Sequence, residues 1–289
     1  MIARLLRMPA LRPGPRAAET PQNPSANVPP KAQPECRAMG RFGMDELERS
    51  IGDLVIANRI LAKEEVVDAY GHVSIRHPSK PDHYLLSRSL SPEFVTSQDI
   101  IEFKLDGTPV SDTRPAYLER YIHGAVYEAR PDVNAVIHSH AEAVLPFSIS
   151  KTPMCCVAHV ASDMGTHVPV WDIDEKFGDA TNLLVINMDQ GRDMAKKLGK
   201  NSVVLMRGHG FAAAADGLLK LVRLSVYLPR NARILMAAIQ MGEFKAMSEN
   251  EIKTRNNFRA GSPEMQRGWE FWAKRAGCGD MLKSSRGGV

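Results

Sequence analysis

Cysteine is scarce in this chain, and long apolar runs are absent. Four cysteines, Cys36, Cys155, Cys156 and Cys278, occur among 289 residues. Two are adjacent, two lie toward the termini, and no C-x-x-C spacing exists, so no disulfide framework is expected. That usage fits a reducing, cytoplasmic setting. No apolar stretch approaches the ~20 residues that a bilayer-spanning helix needs, so no membrane span is expected. An excess of one charge is also missing from most of the chain. Residues 1–43 hold seven Lys/Arg against two Asp/Glu, which leaves 30 Lys/Arg facing 31 Asp/Glu over residues 44–289. That near-neutral body lacks the broad basic footprint of a nucleic-acid binder. Internal repeats are lacking too.

Eight of the 19 prolines fall in residues 1–43, which show no hydrophobic period. This segment reads as a disordered Pro/Arg-rich extension. Arg4, Arg7, Arg12 and Arg16 admit a targeting peptide, but Pro9, Pro13 and Pro15 would break its helix. A start at Met39 or Met44 is the other reading. A globular domain is expected over 44–276, and a loose tail over 277–289.

Within that domain the periodicity alternates between helix and strand. Helices are predicted over Met44–Leu61, Pro115–Ala129, Glu142–Ser148, Asp189–Leu198 and Gly217–Met247, the last with Pro229 as a possible kink. Strands are predicted over Gly71–Arg76, Tyr84–Ser87, Ile100–Phe103, Val133–His140, Ser202–Met206 and Phe211–Ala215. Interleaving of this kind gives an α/β class with a mixed or antiparallel sheet flanked by helices.

The chemistry concentrates on histidine. His138 and His140 stand at i and i+2 of an apolar strand, so both imidazoles leave the same face. Two such rings suit neighbouring positions on a divalent transition metal, although a hydrogen-bonded core pair has the same spacing. Glu119 and His123 stand at i and i+4 of a predicted helix and share a face there. His209 lies between Gly208 and Gly210, which permit close backbone approach and unusual dihedrals. His159 is a further candidate.

Taken together, these segments resemble the class II aldolase/adducin family over Leu54–Phe244. Gly71-His72-Val73-Ser74-Ile75-Arg76 stands where the family has a G-N-V-S-x-R strand. Glu119-Arg120-Tyr121-Ile122-His123 stands at its E-x-x-x-H helix. The run from Arg130 to His140 is similar to its R-P-D-x-x-A-V-x-H-x-H segment, and Leu205–Gly210 to its L-x-x-x-H-G element. The resemblance implies one domain with a central, mainly antiparallel sheet, and a fourfold homotetramer with sites at subunit interfaces. It implies one divalent metal per subunit (Zn, Mn, Co or Fe) held by His138, His140 and His209. Glu119 is implied as a ligand at rest and as acid/base in turnover.

Departures from the family pattern point to the reaction. Its sugar-phosphate aldolases hold phosphate with small polar groups, where this chain has His72, Ser87-Arg88 and Tyr117-Leu118. They also carry a tyrosine proton donor where Val160 stands, next to His159. The altered motifs instead resemble the decarboxylase branch that acts on hydroxylated aromatic or pyridine carboxylates. In that reading a metal Lewis acid stabilises a phenolate or enolate-like state. Arg88 forks onto a substrate carboxylate, His72 and Ser87 help bind it, and Glu119 delivers the proton, with His159 assisting. The partner is a small carboxylate, with neither nucleic acid nor membrane involved. An aldolase or epimerase on a non-phosphorylated substrate, a non-haem iron oxygenase and a non-catalytic scaffold are the competing expectations.

Overall fold

The computed structural model describes residues 35–257 and 262–282. A seven-stranded sheet forms its centre, in the order β3-β2-β1-β4-β7-β6-β5. The strands are β1 (His72–His77), β2 (Lys80–Ser87), β3 (Ile100–Lys104), β4 (Ala135–Ser139), β5 (Val170–Trp171), β6 (Val203–Met206) and β7 (Gly210–Ala215). Every pairing is antiparallel except β5 with β6. β4 and β7 are buried along their whole length, as central strands covered on both faces must be.

Helices cover both faces. They are α1 (Glu35–Lys63), α2 (Arg120–Ala129), α3 (Leu145–Ile149), α4 (Asp174–Phe177), α5 (Met188–Leu198), α6 (Leu218–Met241), α7 (Glu249–Arg255) and α8 (Pro263–Arg275). On one face, Leu54 and Ile60 of α1, Leu224 and Leu228 of α6 and Trp272 of α8 pack onto Ile75, Ile137 and Phe211. On the other, Ile122 and Val126 of α2 and Met194 and Leu198 of α5 pack onto Leu86, Val136 and Ala212. Each of the Leu, Ile, Val, Met and Phe side chains among these contributes about 1.5–3 kcal/mol by leaving water.

The strand alternation decides what faces α2. Val73 and Ile137 point to the α1–α6 face, so His72, Ser74 and His138 point to the α2 face. Among the described residues no helix is long and apolar enough to cross a membrane.

Several boundaries differ from the sequence expectation. α1 starts at Glu35, upstream of the boundary expected at Met44, while residues 1–34 lie outside the described ones. α2 starts at Arg120 rather than Pro115, because the preceding segment is spent on fixed contacts. Tyr117 bonds to Leu90, and Arg120 closes on the carbonyls of Tyr117 and Gly107. α6 runs through Pro229 and stops at Met241, short of Met247. Cys278 and Leu282, expected in a loose tail, are buried in the core beside α8. Residues 283–289 of that tail lie outside the described residues.

Candidate metal centre

Four ligand atoms meet at one end of the sheet, from Glu119, His138, His140 and His209, all within 4.8 Å of one another. His138 comes from the end of β4 and is fully buried, and His140 follows where that strand stops. Glu119 is the residue before α2, not a residue within it. His209 sits in the turn joining β6 to β7. That turn needs its two glycines. Gly208 has φ +64°, and a Cβ on Gly210 would fall 2.1 Å from the Ser139 carbonyl oxygen.

The distances fit a cation. His138 Nε2 lies 2.9 Å from His140 Nε2, which lies 3.1 Å from His209 Nε2. Glu119 Oε2 is 3.4 Å from His138 Nε2 and 3.5 Å from His209 Nε2. Tetrahedral zinc with bonds of about 2.0–2.1 Å spaces its ligands by about 3.3–3.4 Å. Two outer contacts support this orientation. His138 Nδ1 donates to the Phe211 carbonyl at 3.1 Å, which leaves its Nε2 bearing a lone pair. Glu119 Oε1 accepts from the Val185 amide at 3.0 Å, which directs Oε2 at the histidines. His209 Nδ1 is buried without a partner among the described residues, so only the cluster orients that ring. Three imidazoles converging through Nε2 cannot all satisfy one another with protons. A divalent ion satisfies them and the carboxylate together, so this donor set fits Zn, Mn, Co or Fe(II).

Electrostatics favour the ligating form of His140 and of Glu119. Burial pushes His140 down to about 4, helped by the charges of His138 and His209. Burial would raise the Glu119 carboxyl, but His138 and then His209 outweigh it and hold it well below the carboxylate range. Neutral imidazoles and an ionised carboxylate are the forms that bind metal.

The other candidate residues are distributed differently. His72 lies opposite His138 across the β1–β4 ladder, with ring centroids 5.3 Å apart, and is buried. Its ring packs on Tyr117 at 4.5 Å. Ser87 is fully buried, with Oγ 3.2 Å from the Tyr117 hydroxyl. Arg88 is one-third exposed, and its Nε donates to Asp99 at 2.7 Å. His159 opens the 3-10 segment His159–Met164, is exposed, and does not join the four ligands.

Sequence reasoning named Ser74 only as part of the Gly71–Arg76 motif and did not single out Tyr127. Both join His123 in a buried network against His72. Their spacing was the available signal, since Ser74 is two residues from His72 on a strand and Tyr127 four from His123 on a helix.

A cavity of about 950 Å³ opens against His140. Glu65, Asp68, Glu93 and Glu142 outnumber Arg233 along it, and neither His72 nor Arg88 lines it.

The chain is similar to several known proteins. The family described as "Class II Aldolase and Adducin N-terminal domain" matches residues 52–236. The decarboxylase tropJ of Talaromyces stipitatus is 33% identical over 246 residues, covering 77% of this chain and 92% of that protein. The 3,4-dihydroxyphthalate decarboxylase of Arthrobacter keyseri is 29% identical over 178 residues, 56% of this chain and 67% of its own. An aldolase II superfamily protein from Pseudomonas syringae superposes with a TM-score of 0.67 at 21% identity, covering 82% of this chain and 95% of its own, which speaks to the fold.

Proposed function

This chain belongs to the class II aldolase and adducin family, and on that premise we propose that it is a metal-dependent, non-oxidative decarboxylase of a small hydroxylated aromatic carboxylate. The observation that carries this reading is the position of Tyr117. Its ring lies on His72, and its hydroxyl is tied to Ser87 and to the Leu90 carbonyl. The small residues with which sugar-phosphate aldolases grip phosphate are thus replaced by a rigid aromatic wall beside the ligand cluster. A flat ring stacks against such a wall, whereas a phosphate loses its polar cradle. Similarity to two decarboxylases supports the same direction.

Glu119, His138, His140 and His209 would hold the metal, which when bound would supply Lewis acidity toward a ring hydroxyl and its neighbouring carboxylate. The protein's own groups do the rest. In the reaction the bond between ring carbon and carboxylate breaks, and its electron pair stays on the ring. CO2 departs and a proton replaces it, with no oxidant consumed. Glu119 is the group assigned to carry that proton. His72 is assigned to the substrate's anionic oxygens. Arg88, positioned by Asp99, is assigned to the carboxylate end. The acidic lining of the cavity beside His140 repels a carboxylate, which favours approach from the His72 side. His159 is assigned an assisting role only if a second subunit brings it near, since within this chain it stands apart. The same reading includes a cytoplasmic homotetramer, which light scattering on the purified protein checks.

The test is CO2 release by the metal-loaded full chain under anaerobic conditions, against a panel of ortho-hydroxy aromatic carboxylates. Release that disappears in Glu119→Gln supports the proposal. Aldehyde formed from a hydroxy-carbonyl substrate, with no CO2 from the panel, would replace it with the aldolase reading. A strict requirement for O2 would replace it with the oxygenase.

A further inference from the structure

Behind His72 lies an unbroken chain of buried hydrogen bonds. His72 Nδ1 is 2.6 Å from His123 Nε2, His123 Nδ1 is 2.6 Å from Ser74 Oγ, and Ser74 Oγ is 2.8 Å from the Tyr127 hydroxyl. All four residues are at most 4% exposed. Burial of both rings, 4% and 0% exposed, disfavours charge on either. Each ring therefore carries one proton, and the chain has two possible directions.

In one direction His72 Nδ1–H donates to His123, His123 donates to Ser74, and Ser74 donates to Tyr127. The Tyr127 hydroxyl proton then needs an acceptor of its own, and Ser74 is the one hydrogen-bonding side chain it meets among the described residues. A buried hydroxyl proton left unmet costs about 1–3 kcal/mol. In the other direction Tyr127 donates to Ser74, Ser74 to His123 Nδ1, and His123 Nε2–H to His72 Nδ1. Every proton inside the chain is then placed, and the one left over moves from Tyr127, 1% exposed, to His72 Nε2, which is not sealed from water and can be met there. The second direction is favoured because its one leftover proton can meet water or substrate, whereas that of the first is sealed in the core.

We infer that Tyr127, Ser74 and His123 form a directional relay that fixes His72 as the Nε2–H tautomer, a neutral hydrogen-bond donor held beside the metal ligands for an anionic oxygen of the substrate. The identity of that acceptor rests on the proposed function, whereas the tautomer does not. His72 Nε2 makes no hydrogen bond among the described residues, so its proton is uncommitted. The ring lies on the face that carries His138, so the donor and the ligand cluster share one side of the sheet. Tyr127, Ser74 and His123 are positioning residues here, since they act through His72.

Nitrogen-15 spectroscopy on histidine-labelled full-length protein reads this directly, with His72 assigned by its loss in His72→Gln. The expected result is a protonated Nε2 and a bare Nδ1 at His72 in the wild type, with that preference lost in Ser74→Ala. Ser74→Thr keeps the hydroxyl and is expected to restore the wild-type tautomer. Tyr127→Phe, which keeps the ring, serves if Ser74→Ala fails to fold, and is expected to mix the two tautomers. A wild-type His72 protonated at Nδ1, or a Ser74→Ala protein with an unchanged tautomer, would overturn the relay. The nitrogen shifts decide the matter whatever the substrate proves to be, so failure of the decarboxylase reading leaves this test standing.

Discussion

Replacing Gly210 by alanine should disable the proposed metal centre without touching any of its four candidate ligands. A Cβ at Gly210 lies 2.1 Å from the Ser139 oxygen and 3.0 Å from His140 Cα, both backbone atoms, where ordinary contact begins at 3.4 Å. Strands β4 and β7 must therefore part by more than an ångström at their ligand-bearing ends. His209 hangs from one side of that gap and His138 and His140 from the other. Metal sites tolerate ligand displacements of only about 0.2 Å. Overpacking of this kind costs roughly 1–3 kcal/mol of stability, and disturbed ligand orientation costs about ten- to hundredfold in metal affinity. Competition against a chromophoric chelator measures the affinity, and calorimetry the stability. Gly52→Ala is the control. It lies in α1 with nothing within 4 Å of its added Cβ, so it should stabilise the protein by about 0.5–1 kcal/mol. Its metal affinity should be unchanged. A Gly210→Ala protein that binds zinc and melts like the wild type would refute the close-approach reasoning.

Other consequences are testable independently. Burial would raise the Asp99 carboxyl, but hydrogen bonds from Thr96 and Arg88 outweigh it and hold it below its usual range. A depressed carboxylate contributes stability above the unfolded value of about 3.9, and that contribution is lost as pH falls through the lower folded value. Asp99→Asn should therefore flatten the acid limb of stability against pH, as read by denaturant melts between those limits. Arg223→Met leaves Asp163 buried without its partner, and should cost about 3–5 kcal/mol. Chemical denaturation checks that figure, and substitution of both residues by apolar ones should recover much of it. Asn187 caps α5 by accepting from the Gln190 amide, so Asn187→Ala should cost about 1 kcal/mol with metal affinity intact.

Legibility from sequence tracked how local each signal was. The six expected strands all form, because alternation and β-branched runs are read within a few residues. The two-residue strand β5 was too short to carry a period, and its pairing with β6 is tertiary. Glu119 was placed inside a helix because Pro115 looks like a first-turn residue. The chain instead uses Tyr117 to meet Ser87 and Leu90, which no local pattern records. The three histidines of the ligand cluster were legible through their spacing and glycines, and through resemblance. His159 is the contrary case, since its exposed position depends on where a 3-10 segment docks. α7 and α8 were missed, although Ser248 with Glu251 is a capping box visible in the sequence.

Metal content of the purified full chain tests the central claim most directly. The account predicts about one divalent ion per chain in the wild type, and loss of that ion in His138→Ala with the fold retained by circular dichroism. A wild-type chain that binds no divalent ion when zinc, manganese, cobalt and iron are each offered, or a His138→Ala chain that keeps full stoichiometry and affinity, would contradict it.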